Sequence, residues 1–542
     1  MIKKAPKIFL IYLCIFAVSI LYRFYGLNKR GYFPGSDASS YACIAKTYRA
    51  GFDYILRAKI LRQDIGSMND YLYDKGGQFG TAAKDGFVPI ALIGSFVFGN
   101  SPNAVIYTSA FFGTATVMLL FFILSQHISL FLSFVLTLLF AVSPYHIGFS
   151  REGLTIIYSS FFLLLCIYSY AGYLKSNNLW HLAFCGLSLG FGFLCHYNIA
   201  PFILVFFASE LCRLFFKLTN AKRIIAISGF SILPLFLTDL FTRSIKLYGI
   251  RQHIKMMDSF YPYFNELSRQ LMLVQKGAQA GGSDIHAGKF YYFSNLFYHE
   301  GAIPSLLFLI AILFIFRRGI KANHGISYFL VALFTLPFIF FLGVHSVCDR
   351  NMLSFVPVGY LIIGYGLGDF TRYRKLFALA IMIAVILNGY RSLDYFNYRS
   401  NFWQAVSYME GNKGVKHITS ILSLSRLYVG RKNAVNHAQP PYSEILTDSR
   451  KVIYQINPLS FGEITSLFAR GYNYLVLNTP PSVSNGLTDA ATKIHPEYST
   501  DIMVCNDRGD GYDPALLRDK KGKYLYNFKV YDLGKVLNKA GS

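Results

Sequence analysis

Apolar runs approaching twenty residues recur through the first 390 positions, and they decide what this chain can fold into. Each run, coiled as a helix, is long enough to cross a hydrocarbon layer of about 30 Å. Inside lipid every backbone N–H and C=O must find a partner within the protein, so repeated runs of this length specify a bundle of helices. About eleven spans can be drawn: 8–25, 103–124, 128–144, 154–174, 179–195, 199–216, 224–243, 302–316, 326–344, 352–368 and 375–390. The stretch Phe87–Phe98 is too short to span and reads as an interfacial or re-entrant helix. With 54% hydrophobic and only 15% charged residues in 542, the chain is too apolar for a soluble protein of this size.

Lysine and arginine in the short loops orient the bundle. With the N-terminus in the cytoplasm, the clusters Lys3/Lys4/Lys7, Lys175, Arg213–Arg223, Arg317/Arg318/Lys321 and Arg372/Arg374/Lys375 all fall inside. The first run follows Lys7 and has no small-residue cleavage site behind it, which reads as a retained signal-anchor. The expectation is a multi-pass protein of the plasma (inner) membrane. Asp37, Arg151–Glu152, His196, the 244–301 loop, Asp349–Arg350 and the C-terminal region then lie on the outer side.

The fold class expected is therefore mainly α: a polytopic helical bundle at 1–390 with long outer loops at 28–101 and 244–301. A small extracytoplasmic α/β domain follows at 391–542. Beyond 390 the composition turns to Asn, Asp, Gly and Pro punctuation. VIYQI (452–456) and YNYLVLN (472–478) read as strands, and 458–471 between them as a helix ending at Gly471. The 244–301 loop carries KGAQAGGSDIHAGK, whose glycines suit either a segment that orders over substrate or a plain connector.

The formal net charge is +24, partly supplied by the inside loops. The outer loop adds Lys29, Arg30, Lys46, Arg49, Arg57, Lys59, Arg62, Lys75 and Lys84, which topology does not require. These cations fit an anionic partner at the outer leaflet, such as a lipid phosphate. No nucleic-acid-binding motif appears, so nucleic acid is not expected as a partner. The eight cysteines include no CxxC and no metal-like spacing, and no Asp-x-Asp pair marks a divalent-metal site in the outer loops. No cofactor is called for, and a divalent metal stays open.

A few polar residues stand where apolar helices end, and charges at such mouths are costly to desolvate unless they are used. Arg151 and Glu152 close SPYHIGFSREG between two runs. Asp37 follows Pro34-Gly35-Ser36 past the first run and could be a general base or simply a helix N-cap. Glu152 could pair with Arg151 or sit as an acid at a helix N-terminus. Arg350 follows Asp349 and could pair with it or bind a phosphate. His196 breaks an apolar run at an outer helix end.

The order of these features resembles the GT-C glycosyltransferases, in particular the protein mannosyltransferase and aminoarabinose-transferase-like group. One span and an acidic outer loop come first. The segment KDGFVPIALIGSFVFG (84–99) stands where that group has Lys-Pro-Pro-Leu-Tyr, with Pro89 alone for the proline pair. SPYHIGFSREG matches its Ser-Pro and Ser-Arg-Glu signature closely. GLSLGFGFLCHYN (186–198) has Cys-His in place of Thr-Lys, and RNMLSFVPVGYL (350–361) has Asn351 in place of Tyr. The resemblance covers about 10–390.

It implies transfer of a sugar from a polyprenyl-phosphate donor to a lipid, glycan or protein acceptor at the outer face. In that scheme Asp37 and Glu152 are the catalytic acids, with Asp37 as base. Arg151, Arg350, His196 and Lys84 bind substrate, and Arg350 takes the donor phosphate. The competing reading from hydropathy alone is a polytopic lipid or glycan transporter or flippase. That reading predicts paired half-repeats or midplane charges, and neither is apparent.

Overall fold

The computed structural model describes residues 5–27, 48–66, 86–99, 103–249, 291–317, 325–342, 349–368 and 373–397, the segments 416–420, 452–455, 472–479, 498–502 and 526–541, and isolated positions between them. Every expected span carries a helix. They are α1 (Ala5–Phe24), α3 (Asn103–His127), α4 (Leu130–Ala141), α6 (Ile156–Ser176), α7 (Leu179–Cys195), α8 (Ala200–Phe215), α9 (Ala221–Gly249), α11 (Ala302–Arg317), α12 (Gly325–Leu342), α13 (Phe355–Leu367) and α14 (Arg374–Ser392). Shorter helices accompany them, among them α2 (Phe87–Val97), α5 (Pro144–Ser150) and α10 (Tyr291–Glu300). Among the described residues six helices are long and apolar enough to cross a membrane outright, and a seventh if the bent pair α4–α5 counts as one. The protein is a mainly α, multi-pass membrane protein.

The chain divides into two compact units. The first comprises 1–25, 82–90 and 108–396. Its core is formed by residues such as Phe121, Phe140, Tyr158, Leu189, Phe202 and Leu361, all buried. Large apolar side chains on the outer flanks, including Leu204, Leu313 and Ile386, are exposed, as a surface facing lipid requires. Helices α7 and α9 approach closely because Gly186 and Gly190 have no side chain. A Cβ on Gly190 would stand 2.2 Å from the Ser231 carbonyl oxygen, and one on Gly186 would stand 2.7 Å from that of Ile227. Small residues spaced by four let two membrane helices touch backbone to backbone.

The second unit comprises 26–81, 91–107 and 397–542. Its five strands are β1 (Lys416–Ser420), β2 (Val452–Gln455), β3 (Tyr472–Thr479), β4 (Tyr498–Ile502) and β5 (Tyr526–Asp532), followed by helix α15 (Leu533–Gly541). The sheet order is β2-β1-β3-β5-β4. β1 pairs parallel with both β2 and β3, and β5 pairs antiparallel with β3 and β4. The two strands read from 452–456 and 472–478 are thus not neighbours, because β1 lies between them. The helix expected at 458–471 falls almost wholly outside the described residues.

Candidate active site

The segment SPYHIGFSREG is not a short turn between spans, as its polar residues imply, but mostly a helix. The Ser143 hydroxyl accepts from the His146 amide at 3.1 Å, and Pro144 occupies the first helical turn, where its missing N–H costs nothing. α5 therefore restarts at 57° to α4. The bend leaves α4's terminal carbonyls without helical donors, and distant side chains supply them. Arg23 of α1 donates to the Ala141 oxygen at 2.9 Å, and Ser392 of α14 donates to that of Val142 at 3.0 Å. Arg23 also donates to His146 Nδ1 at 2.7 Å. Gly113 makes room here, since a Cβ on it would meet Ser150 Oγ at 2.3 Å.

Arg151 closes α5 and is fully buried. Its guanidinium donates to the carbonyls of Tyr22 (3.0 Å), Arg23 (3.4 Å), Tyr25 (3.0 Å) and Tyr395 (3.2 Å). Three of these acceptors are the last carbonyls of α1, where the helix dipole favours a cation. Arg151 thus caps α1. Glu152 is buried beside it in the turn at 151–153, just before α6.

Three further motif segments converge where α6, α8 and α13 begin. Ser160 and Ser354 hydroxyls stand 3.3 Å apart, and the Phe202 and Phe355 rings are 4.9 Å between centroids. The Asn198 amide donates to the Asn351 side-chain oxygen. That contact ties the segment carrying His196 to the 3-10 turn Asp349–Met352, which carries Arg350. His196 is buried, and its Nδ1 accepts from the Asn198 amide at 3.3 Å, so its ring caps the turn Tyr197–Ile199. Gly86, two residues after Lys84, donates its amide to the Leu194 carbonyl at 3.3 Å. A Cβ there would lie 2.3 Å from that of Leu194, so only glycine lets this segment lie against the end of α7. Asp37, Lys84 and the side chain of Arg350 lie outside the described residues.

A buried acid that no motif marks completes the picture. Glu300 ends α10, and its two carboxyl oxygens accept from Ser143 Oγ at 2.5 Å and the Tyr360 hydroxyl at 2.9 Å. Burial pushes its carboxyl above the usual range, and these two hydrogen bonds partly offset the shift. The end of α10 is held as firmly. Asn388 donates to the Glu300 carbonyl at 2.9 Å, and Arg391 donates to those of His299 and Tyr298 at 3.1 and 2.6 Å. His299, buried against Tyr145, is pushed down to about 3 by burial, with Arg391 adding to the shift. Glu300 and Tyr360 stand in the wall of a mostly apolar cavity of about 210 Å³, whose other faces include Phe297, Phe308, Phe334, Phe338 and Ile363. Glu300 meets the criterion that singles out Glu152, an acid at the mouth of a span.

No family model matches the chain, and no curated protein matches it in sequence. Solved structures do match. ArnT from Cupriavidus metallidurans, bound to undecaprenyl phosphate, aligns over 91% of this chain and 95% of its own, with a TM-score of 0.55 at 10% identity. The archaeal oligosaccharyltransferase AglB from Archaeoglobus fulgidus, in complex with an inhibitory peptide and a dolichol-phosphate, aligns over 88% of this chain and 70% of its own, with a TM-score of 0.52 at 12% identity.

The fold is that of the GT-C transferases.

At such identities the architecture is what is shared. Within the GT-C fold of this chain, the Ser-Arg-Glu segment is a two-ended clamp. Ser143 reaches the end of α10, and Arg151 reaches the end of α1. Among the described residues no group of three His, Cys, Asp or Glu side chains is placed to hold a metal ion.

Proposed function

We propose that this protein transfers a sugar from a polyprenyl-phosphate-linked donor to an acceptor at the outer face of the membrane. The observation that carries the reading is the GT-C fold, shared over nearly the full length of a protein solved with undecaprenyl phosphate. The donor's tail stays in the bilayer while its phosphate sits at the interface, level with the helix mouths that hold the motif residues.

Asp37, by its resemblance to the acidic residue of the first outer loop, deprotonates the acceptor hydroxyl. General-base help of this kind contributes about 10² to 10⁴ in rate. The acceptor oxygen attacks the anomeric carbon as the bond to phosphate breaks, giving inversion. The leaving polyprenyl phosphate departs as an anion, which a nearby fixed cation stabilises. Arg350 supplies that cation and Lys84 assists. His196 and Glu152 contact substrate, and Arg151, through its hydrogen bonds to the end of α1, acts as a positioning residue. The acceptor is a lipid, a glycan or a protein.

Binding of undecaprenyl phosphate to the purified full-length protein tests the assignment of Arg350. Arg350→Lys keeps the charge but loses the planar fork and should weaken binding partly, and Arg350→Ala should weaken it far more. Equal affinity of wild type and Arg350→Ala would end the phosphate-binding role. Asp349→Asn is the companion. If it impairs folding as much as Arg350→Ala does, the two residues form a structural pair instead.

A further inference from the structure

At one end of the bundle the turn joining α6 to α7 (177–178) and the turn joining α8 to α9 (216–220) lie together. The Tyr173 hydroxyl, from the last turns of α6, is 3.1 Å from Thr219 Oγ1. Arg223 of α9 donates across to the Asn177 side-chain oxygen. Between 173 and 223 the chain carries Lys175, Arg213, Lys217, Lys222 and Arg223 against one acid, Glu210.

That acid is already committed. Glu210 is fully buried, receives the Tyr170 hydroxyl at 2.8 Å and pairs with Arg213 at 3.1 Å. The buried ring of Tyr173 holds two guanidinium groups at once, Arg213 at 5.4 Å and Arg223 at 5.8 Å from its centroid. The two guanidiniums share one ring, and the one carboxylate nearby pairs with Arg213, so the cluster carries net positive charge. Exposed Lys175, Lys217 and Lys222 add to it. Two helix N-termini, those of α7 and α9, end at the same surface and favour an anion further. Around the cations stands a rim of exposed apolar side chains, with Trp180 at 72% and Phe215 at 81% exposure, together with Phe216 and Leu218.

We propose that this surface binds the phosphate headgroup of an anionic membrane phospholipid. The guanidinium pair and the lysines face the phosphate, while Trp180, Phe215, Phe216 and Leu218 lie among the acyl chains. Aromatic and basic side chains divide in this way at a membrane interface. The apolar rim favours a lipid over a free phosphate, which has no use for it. The inference stands apart from sugar transfer, since none of these residues belongs to the proposed site.

Native mass spectrometry of the purified full-length protein, titrated with phosphatidylglycerol or phosphatidylcholine, tests it. Wild type should bind phosphatidylglycerol saturably and in clear preference to phosphatidylcholine. Lys217→Gln/Lys222→Gln changes only exposed side chains. It should weaken phosphatidylglycerol binding roughly fivefold per lysine, about 25-fold for the pair, without altering phosphatidylcholine adducts. Arg223→Gln should weaken it as well, and its melting temperature reports whether the fold survives. Equal adducts of the two lipids would overturn the proposal, as would unchanged phosphatidylglycerol affinity in the double variant. Displacement of the lipid by inorganic phosphate at comparable concentration would overturn the choice of a lipid.

Discussion

Replacing Arg151 with methionine should unfasten α1 from the rest of its unit. The side chain is fully buried and makes two backbone hydrogen bonds at 3.0 Å, to Tyr22 and Tyr25, besides longer ones to Arg23 and Tyr395. Hydrogen bonds from a charged donor contribute about 1.5–3 kcal/mol each, so the two short ones alone amount to about 3–6 kcal/mol. Methionine fills much of the volume but satisfies no carbonyl, so the acceptors at the end of α1 would lose this donor. Thermal unfolding of the detergent-solubilised protein should show a large fall in midpoint for Arg151→Met. Arg151→Lys should fall less, because an ammonium reaches some of these oxygens but cannot span them as a fork. Transfer activity should track the folded fraction. An Arg151→Met protein with wild-type thermal stability and no activity would refute the clamp and make Arg151 a substrate-binding residue.

Gly190→Ala should separate α7 from α9, because its Cβ would stand 2.2 Å from the Ser231 oxygen. Overpacking of this kind costs about 1–3 kcal/mol and should appear as a lowered melting temperature. Stability should also fall on mild acidification through His299, whose folded pKa of about 3 lies below its ordinary 6.5. The unfolded chain takes up a proton below pH 6.5 that the folded one refuses, so at pH 5 the loss reaches at most about 2 kcal/mol. Glu300 works in the opposite sense, since its raised pKa lets the folded state take up a proton more readily than the unfolded one. Melting curves between pH 7 and 5 should therefore flatten in His299→Gln, and an unchanged pH dependence would show that His299 is not the group responsible.

What could be read from the residues divides along physical lines. A span declares itself by run length, because crossing lipid is a local requirement. The helices at 156–176 and 325–342 follow directly from it. The bend at Ser143-Pro144 is legible from proline's missing donor, but the helix that restarts beyond it is not, because it depends on the Ser143 cap and on Arg23 arriving from 118 positions away. The role of Arg151 depends likewise on carbonyls 126 to 129 positions upstream. Glu300 hides for the same reason: its partners Ser143 and Tyr360 lie 157 and 60 positions away. In the second unit, β1 is the five-residue segment KHITS, whose single aliphatic side chain raises no strand signal. The expected strand–helix–strand pair therefore could not reveal the strand inserted between its members.

Turnover of a polyprenyl-phosphate-linked sugar by the purified full-length protein, wild type against Asp37→Asn, tests the central claim most directly. Asparagine nearly preserves shape and caps a helix about as well as aspartate does, so a mere cap would be indifferent to the change. With release of free polyprenyl phosphate followed by mass spectrometry, wild type should turn over. Asp37→Asn should fold normally, still bind the lipid phosphate and lose about 10² or more in rate. An Asp37→Asn protein that transfers sugar at the wild-type rate would contradict the account.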